Sequence, residues 1–128
     1  MSLQKFYNIA KNNLFPLCRS ITGNNNRTTI KIIKKEFKNL RIHEVKSGTQ
    51  VYDWKVPKEW NINDAYIIDK YGRKILDFKI NNLHVVGYSS PINKKINKKR
   101  LLKKLHTNKK LIDAIPYLTS YYKDYWGF

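Results

Sequence analysis

Between Val51 and Asp69 the chain reads VYDWKVPKEWNINDAYIID, a stretch holding two of its three tryptophans, and nothing else in the sequence restricts the fold as much. Tyr52, Trp54 and Val56 alternate with Val51, Asp53 and Lys55, the period of two that lays one row of side chains on each face of a strand. Pro57 ends or edges that strand, because it has no N–H to give to a ladder. Ala65 to Ile68 is a short β-prone run, Asp69-Lys70-Tyr71-Gly72-Arg73 is a turn whose glycine suits positive φ, and Lys74 to Phe78 reads as the returning strand. The expectation is a β-hairpin with an aromatic core around which the rest of the chain packs. Tryptophan and tyrosine more often fill such a core than form a ligand-stacking site.

Around this centre the periodicity changes. Leu3, Phe6, Tyr7, Ile9 and Ala10 recur at three and four residues, predicting an amphipathic helix from Ser2 to Asn13 with Ser2 as its N-cap. Pro16 should close it by moving Phe15 out of helical geometry. The polar turn from Cys18 to Asn26 leads into a second helix that begins between Gly23 and Asn26 and carries Ile30, Ile33 and Phe37. A glycine turn before a helix can hold phosphate on free N–H groups. Here it lacks the spacing of either nucleotide fingerprint and is expected to do no more than start the helix.

Leu40 to Val45 alternates as a strand, Lys46-Ser47-Gly48-Thr49 turns the chain, and Leu83 to Tyr88 reads as a further strand after Asn81-Asn82. Together with the hairpin these suggest a small antiparallel sheet. From Ile92 to Leu111 lysine dominates, with Ile96, Leu101, Leu102 and Leu105 on one side of a short helix, expected as a solvated face over a core stripe. The last residues, Ile115 to Phe128, are dense in aromatics, whereas chain ends are ordinarily polar and frayed. Such a tail is expected to lie against something or to continue into further chain.

A chain of 128 residues is one compact domain of ordinary size or a piece of a larger one, and a hydrophobic fraction of 41% is compatible with a core. No run approaches the ~18 apolar residues of a membrane helix, and the first residues lack the apolar centre of a signal peptide, so a cytoplasmic protein is expected. The single Cys18 forms no internal disulfide, in keeping with a reducing compartment. A net charge of +17 and a pI near 10.0 ordinarily point to nucleic acid or another polyanion. Lysine far outnumbers arginine, however, and asparagine and isoleucine are abundant throughout, the signature of an AT-rich coding sequence. Arginine, the residue suited to bidentate phosphate and base contacts, is scarce. A stand-alone basic module for nucleic acid or anionic glycan is therefore the alternative function and not the leading one.

No catalytic or metal-binding residue is assigned. His43, His84 and His106 stand far apart, without HExxH or CxxC spacing. Cys18, beside Leu17, suits a small core residue better than a nucleophile. The acidic residues are too few and scattered to offer an acid–base pair.

Four segments carry a resemblance: LFPLCRSITG (Leu14 to Gly23), IHEVKSGTQVYDWKVPKEWNINDAYIID (Ile42 to Asp69), NNLHVVGYSSP (Asn81 to Pro91) and DAIPYLTSYYKDYWGF (Asp113 to Phe128). In this order they resemble the N-terminal part of a prokaryotic zinc aminopeptidase-like family, associated with polysaccharide biosynthesis, whose members carry an inserted domain of unknown function. The resemblance implies an α+β chain: residues 1–41 as leading helices of an aminopeptidase-like α/β/α domain, 42–111 as the inserted β-rich domain ending in the basic helix, and 112–128 as a return segment of the peptidase domain, its aromatics unpaired without that domain's sheet. It places the zinc ligands and the general base beyond residue 128, so no cofactor is expected in this chain, and zinc is expected in full-length relatives. Leu118 stands where the family is expected to have arginine, which implies relaxed selection or a different substrate if that arginine serves the cleft. Two partners are implied, the C-terminal peptidase portion, with the chain as one half of a split enzyme in one version, and a second copy docked through the aromatic tail.

Overall fold

The computed structural model describes residues 2–128, which form two compact units, one ending at Ile62 and the other beginning at Asn63. In the first unit, α1 (Leu3–Ile9) starts where the Ser2 hydroxyl accepts from the Lys5 N–H at 3.3 Å, the capping bond expected of serine. The helix then widens into a π-turn over Ala10–Leu14, with the Phe15 N–H reaching back to the Ala10 carbonyl at 2.8 Å. Phe15 itself stays helical, at φ −61° and ψ −37°. Pro16 thus does not displace it; the wider turn accommodates the crowding, and the helix ends because proline has no N–H.

The second helix, α2 (Asn24–Glu36), begins as expected, behind a Gly23 at φ 98°. Residues 40–45, expected as a strand, have no regular structure and are exposed. Alternation marks which side chains share a face but does not supply a ladder partner. Nor is Val51 to Val56 one strand. β1 (Gln50–Val51) and β2 (Trp54–Lys55) pair antiparallel across a two-residue turn in which Tyr52 takes φ +50°. Pro57 follows the hairpin and ends it, as its missing N–H requires.

The second unit opens with β3 (Tyr66–Ile68) and β4 (Lys74–Asp77), antiparallel, with Ile67 opposite Leu76 and a register shift between Ile67 and Ile68. Asp69 shapes the intervening turn, its carboxylate accepting from the N–H groups of Tyr71 and Arg73 at 2.8 and 3.0 Å. The hairpin expected here is present, but its aromatic core is not. Trp54, Tyr66 and Tyr71 are exposed, with the Lys74 ammonium 4.1 Å from the Tyr66 ring centre. The strand expected at Leu83 to Tyr88 is a 3₁₀ turn over Asn82–His84, capped by the Asn81 side chain, followed by an extended segment. The sheet is correspondingly two separate two-stranded ladders. Of the lysine-rich stretch only α3 (Lys98–Leu102) is helical, with Asn97 accepting from the Arg100 N–H at 2.9 Å.

No residue of the tryptophan-rich stretch is itself buried; the buried positions are Leu14 and Gly23 in the first unit, Gly23 lying against Trp60, and Val85, Val86, Gly87, Ser120 and Gly127 in the second. Short helices, antiparallel hairpins and irregular connections make the chain an α+β protein.

Candidate functional site

In the first unit the glycine turn and the tryptophan-rich stretch come together. Gly23, buried, lies so close to Trp60 that a β-carbon on it would stand 2.3 Å from the Trp60 carbonyl oxygen. On either side the contact is tied by hydrogen bonds: the Trp60 N–H donates to the Thr22 hydroxyl at 3.2 Å, and the Asn24 N–H to the Asn61 side-chain oxygen at 2.8 Å. The Asn25 and Asn26 amides turn back to the carbonyls of Cys18 and Ser20, at 2.9 and 2.6 Å. Arg27 forks onto Glu59, with Nη1 2.9 Å from Oε2 and Nη2 bonded to Oε1. That bond and the guanidinium charge hold the Glu59 carboxyl below the usual carboxylate range. Asn61 therefore occupies the α2 N–H nearest the glycine turn, where a phosphate would have to bind.

In the second unit the aromatic tail is paired. The Gly87 N–H donates to the Leu118 carbonyl at 2.8 Å, and the Ser120 N–H returns to the Gly87 carbonyl at 2.8 Å, forming a parallel bridge. Further along, the Val86 N–H donates to the Gly127 carbonyl at 3.0 Å, the Phe128 N–H to the Lys104 carbonyl at 2.8 Å, and the His106 N–H to the Phe128 carbonyl at 2.7 Å. The expectation of a tail unpaired without the rest of the protein is overturned. Its backbone groups find partners in residues 86–90 and 104–106, since an extended segment can pair with any neighbouring chain that offers N–H and C=O groups in step. Ser120 is the most buried polar residue, 2% exposed, with its hydroxyl 3.3 and 3.2 Å from the carbonyl oxygens of Gly87 and Tyr88.

The titratable groups singled out in the sequence stay apart. His43 is exposed, the His84 Nδ1 lies 3.3 Å from the Asp77 carbonyl oxygen, and the His106 Nε2 lies 2.9 Å from the Tyr125 hydroxyl. Among the described residues no three of His, Cys, Asp and Glu gather as metal ligands would. Cys18 is half-buried and its thiol pKa is raised by that burial, the opposite of what a thiolate nucleophile needs. No helix of the described residues is long and apolar enough to cross a membrane. Sequence reasoning found the segments of both clasps but not their pairing, since no periodicity links Thr22 to Trp60 or Gly87 to Ser120.

Fold and clasps together define an α+β module whose buried groups join main chain to main chain. The chain belongs to the family described as a domain of unknown function, DUF2172, which matches residues 59–128. It is 56% identical over 124 residues to a Clostridium acetobutylicum protein provisionally named as a polysaccharide biosynthesis protein with an aminopeptidase-like domain, an alignment covering 97% of this chain and 28% of that protein. It also superposes on a crystal structure provisionally named as a peptidase from the same organism, with a TM-score of 0.91 and 56% identity over 98% of this chain and 29% of the other. The resemblance to the aminopeptidase-like family, first carried by the four motifs, is borne out by these relatives, and the chain spans under a third of their length.

Proposed function

We propose that the chain is the non-catalytic N-terminal portion of a zinc aminopeptidase-like protein associated with polysaccharide biosynthesis, with the zinc ligands and general base in the part beyond it. One observation carries this reading. The chain exposes 10697 Å², whereas two self-contained units of half its mass would together expose about 8,600 Å². The excess is rich in Phe15, Ile80, Ile112 and other large apolar side chains, surface that a larger protein would cover. Within this reading, residues 42–111 are the inserted domain, and the role of the chain is to shape and support a site it does not itself contain.

The test is metal content and hydrolysis by the purified chain. The expected result is no stoichiometric zinc by elemental analysis and no release of 4-nitroaniline from aminoacyl 4-nitroanilides. Bound zinc at one or two equivalents, or hydrolysis that follows the chain through repurification, would overturn the reading. The net charge of +17 supports the alternative of a basic module for nucleic acid or anionic glycan. For nucleic acid that alternative requires binding that weakens steeply with salt, because its affinity would come from counterion release.

A further inference from the structure

Tyr125 is held at both ends. The Ser90 N–H donates to its main-chain carbonyl at 2.8 Å, and its hydroxyl lies 2.9 Å from the His106 Nε2. Two ammonium groups gather on the ring so fixed, that of Lys104 at 3.8 Å from the ring centre and that of Lys123 at 5.2 Å. The backbone beneath each lysine is tied as well. The Lys104 carbonyl accepts from the Phe128 N–H at 2.8 Å, and the Lys123 N–H donates to the Ser120 carbonyl at 3.0 Å. Sharing one ring keeps the two charges within about 9 Å of each other, although like charges repel.

Elsewhere in this unit cations are neutralised: Arg73 pairs with Asp69, Lys74 with Asp77 and Lys79 with Asp64. Among the described residues no carboxylate pairs with Lys104 or Lys123, and neighbouring Asp124 accepts from the Ser90 hydroxyl instead. The surrounding sequence is equally one-sided, since residues 78–112 hold ten lysines and arginines and no aspartate or glutamate. An AT-rich coding sequence favours lysine over arginine, but it does not remove the acids, whose codons GAA and GAT suit it too.

From this we infer that Lys104 and Lys123, set on the Tyr125 ring, form a subsite for the carboxylates of an acidic polysaccharide. The inference rests on the reading of the chain as a basic module, to which it adds a place and a ligand, and it is independent of the portion reading. Two features select this ligand over nucleic acid. An ammonium is a compact point charge suited to a single carboxylate, whereas arginine serves phosphate and base edges, and no arginine sits on this ring. Single-stranded nucleic acid stacks its bases on open aromatic faces, whereas the Tyr125 ring already carries an ammonium 3.8 Å from its centre. Carboxylates recur on successive sugars of a polyuronate, so one chain can reach both charges. Because the ring and the main chain hold both lysines, little side-chain freedom is left to lose on binding.

The experiment titrates the full chain with decagalacturonate by calorimetry, at low and at physiological salt. The expected result is saturable binding that weakens with salt. Lys104→Gln combined with Lys123→Gln should weaken it at least tenfold. Lys109→Gln combined with Lys110→Gln removes the same net charge from the same basic run and should weaken it less than threefold. Equal losses for the two pairs would mean that the whole field of charge attracts the ligand, which overturns the subsite and leaves the basic-module reading standing. No binding of decagalacturonate or of decathymidylate overturns both. Binding of decathymidylate alone, or more tightly than the uronate, assigns the charge to nucleic acid and overturns the inference. Lys104 also lies on the Trp126 ring, at 5.2 Å, so its replacement can loosen the tail. Lys123 is exposed, and Lys123→Gln alone then decides: binding at least threefold weaker supports the subsite, and unchanged binding overturns it.

Discussion

A β-carbon on residue 23 meets the Trp60 carbonyl at 2.3 Å, and the backbone there sits at φ +98°. Two penalties therefore act together on any substitution: the left-handed conformation of a residue with a side chain and the displacement of a main-chain oxygen that cannot swing aside. Gly23→Ala should destabilise the first unit by about 2–4 kcal/mol. Gly48 has a similar φ of +86° but nothing within 4 Å of its β-carbon, so Gly48→Ala should cost only about 1 kcal/mol. Chemical denaturation of both variants checks this; equal losses would mean that the Trp60 contact contributes nothing. The sequence marked Gly23 as a turn residue, but its contact with Trp60, 37 positions away, had no local signature.

Asp69 gives a pH prediction at the same scale. The Arg73 N–H, the Arg73 guanidinium and the Tyr71 N–H hold its carboxyl below the usual range against the opposing effect of burial. A carboxyl with a depressed folded pKa contributes stability in full above its unfolded pKa and loses it as pH falls through the folded value. The turn between β3 and β4 should therefore loosen below about pH 4, seen as faster amide exchange at Tyr71 and Arg73. Asp69→Asn keeps an accepting oxygen for the two N–H groups and removes the charge. It should flatten that acid limb, and an unchanged limb would count against the assignment.

Among the elements, helix starts were the most legible, because caps and glycine act over three or four residues. Ser2 and Gly23 both stand where a helix begins, whereas the Asn97 cap of α3 went unread within the lysine-rich stretch. Strands were less so. The alternation from Val51 to Val56 is compatible with one strand, but the chain doubles back at Tyr52 and Asp53, and whether a ladder partner is near is not written in six residues. Tyr52 is 96% exposed and adopts φ +50°, so its ring has almost no packing to lose. Tyr52→Gly should relieve left-handed strain of about 1–2 kcal/mol and lose part of that to unfolded-chain entropy. The expected net gain is up to about 1 kcal/mol, read as a higher denaturation midpoint with the hairpin amides of Val51 and Trp54 better protected. A clear loss of stability would show that the tyrosine side chain holds the turn by some contact other than its backbone.

At the scale of the whole molecule, the aromatic tail and the tryptophan-rich stretch both suggested a core, and only the tail lies near one. Ser120 and Gly127 are buried beside Val85 and Val86, whereas Trp54 remains 46% exposed. Composition could not separate them, since aromatic residues serve a core and an interface equally well. The accessible surface does separate the possibilities. An unfolded chain of 15.3 kDa exposes about 22,000 Å², and folding to 10697 Å² buries roughly 85% of what two self-contained units of half this size would bury. Because the denaturant slope follows the area exposed on unfolding, the isolated chain should unfold with urea m-values summing to about 85% of that expected for two self-contained units of its length. The clasp between residues 86–90 and the tail, held by its own main-chain hydrogen bonds, should be protected from amide exchange in the isolated chain. A full-sized m-value for the isolated chain would mean that it buries its own apolar surface, and it would remove the physical ground for treating this chain as a portion of a larger fold.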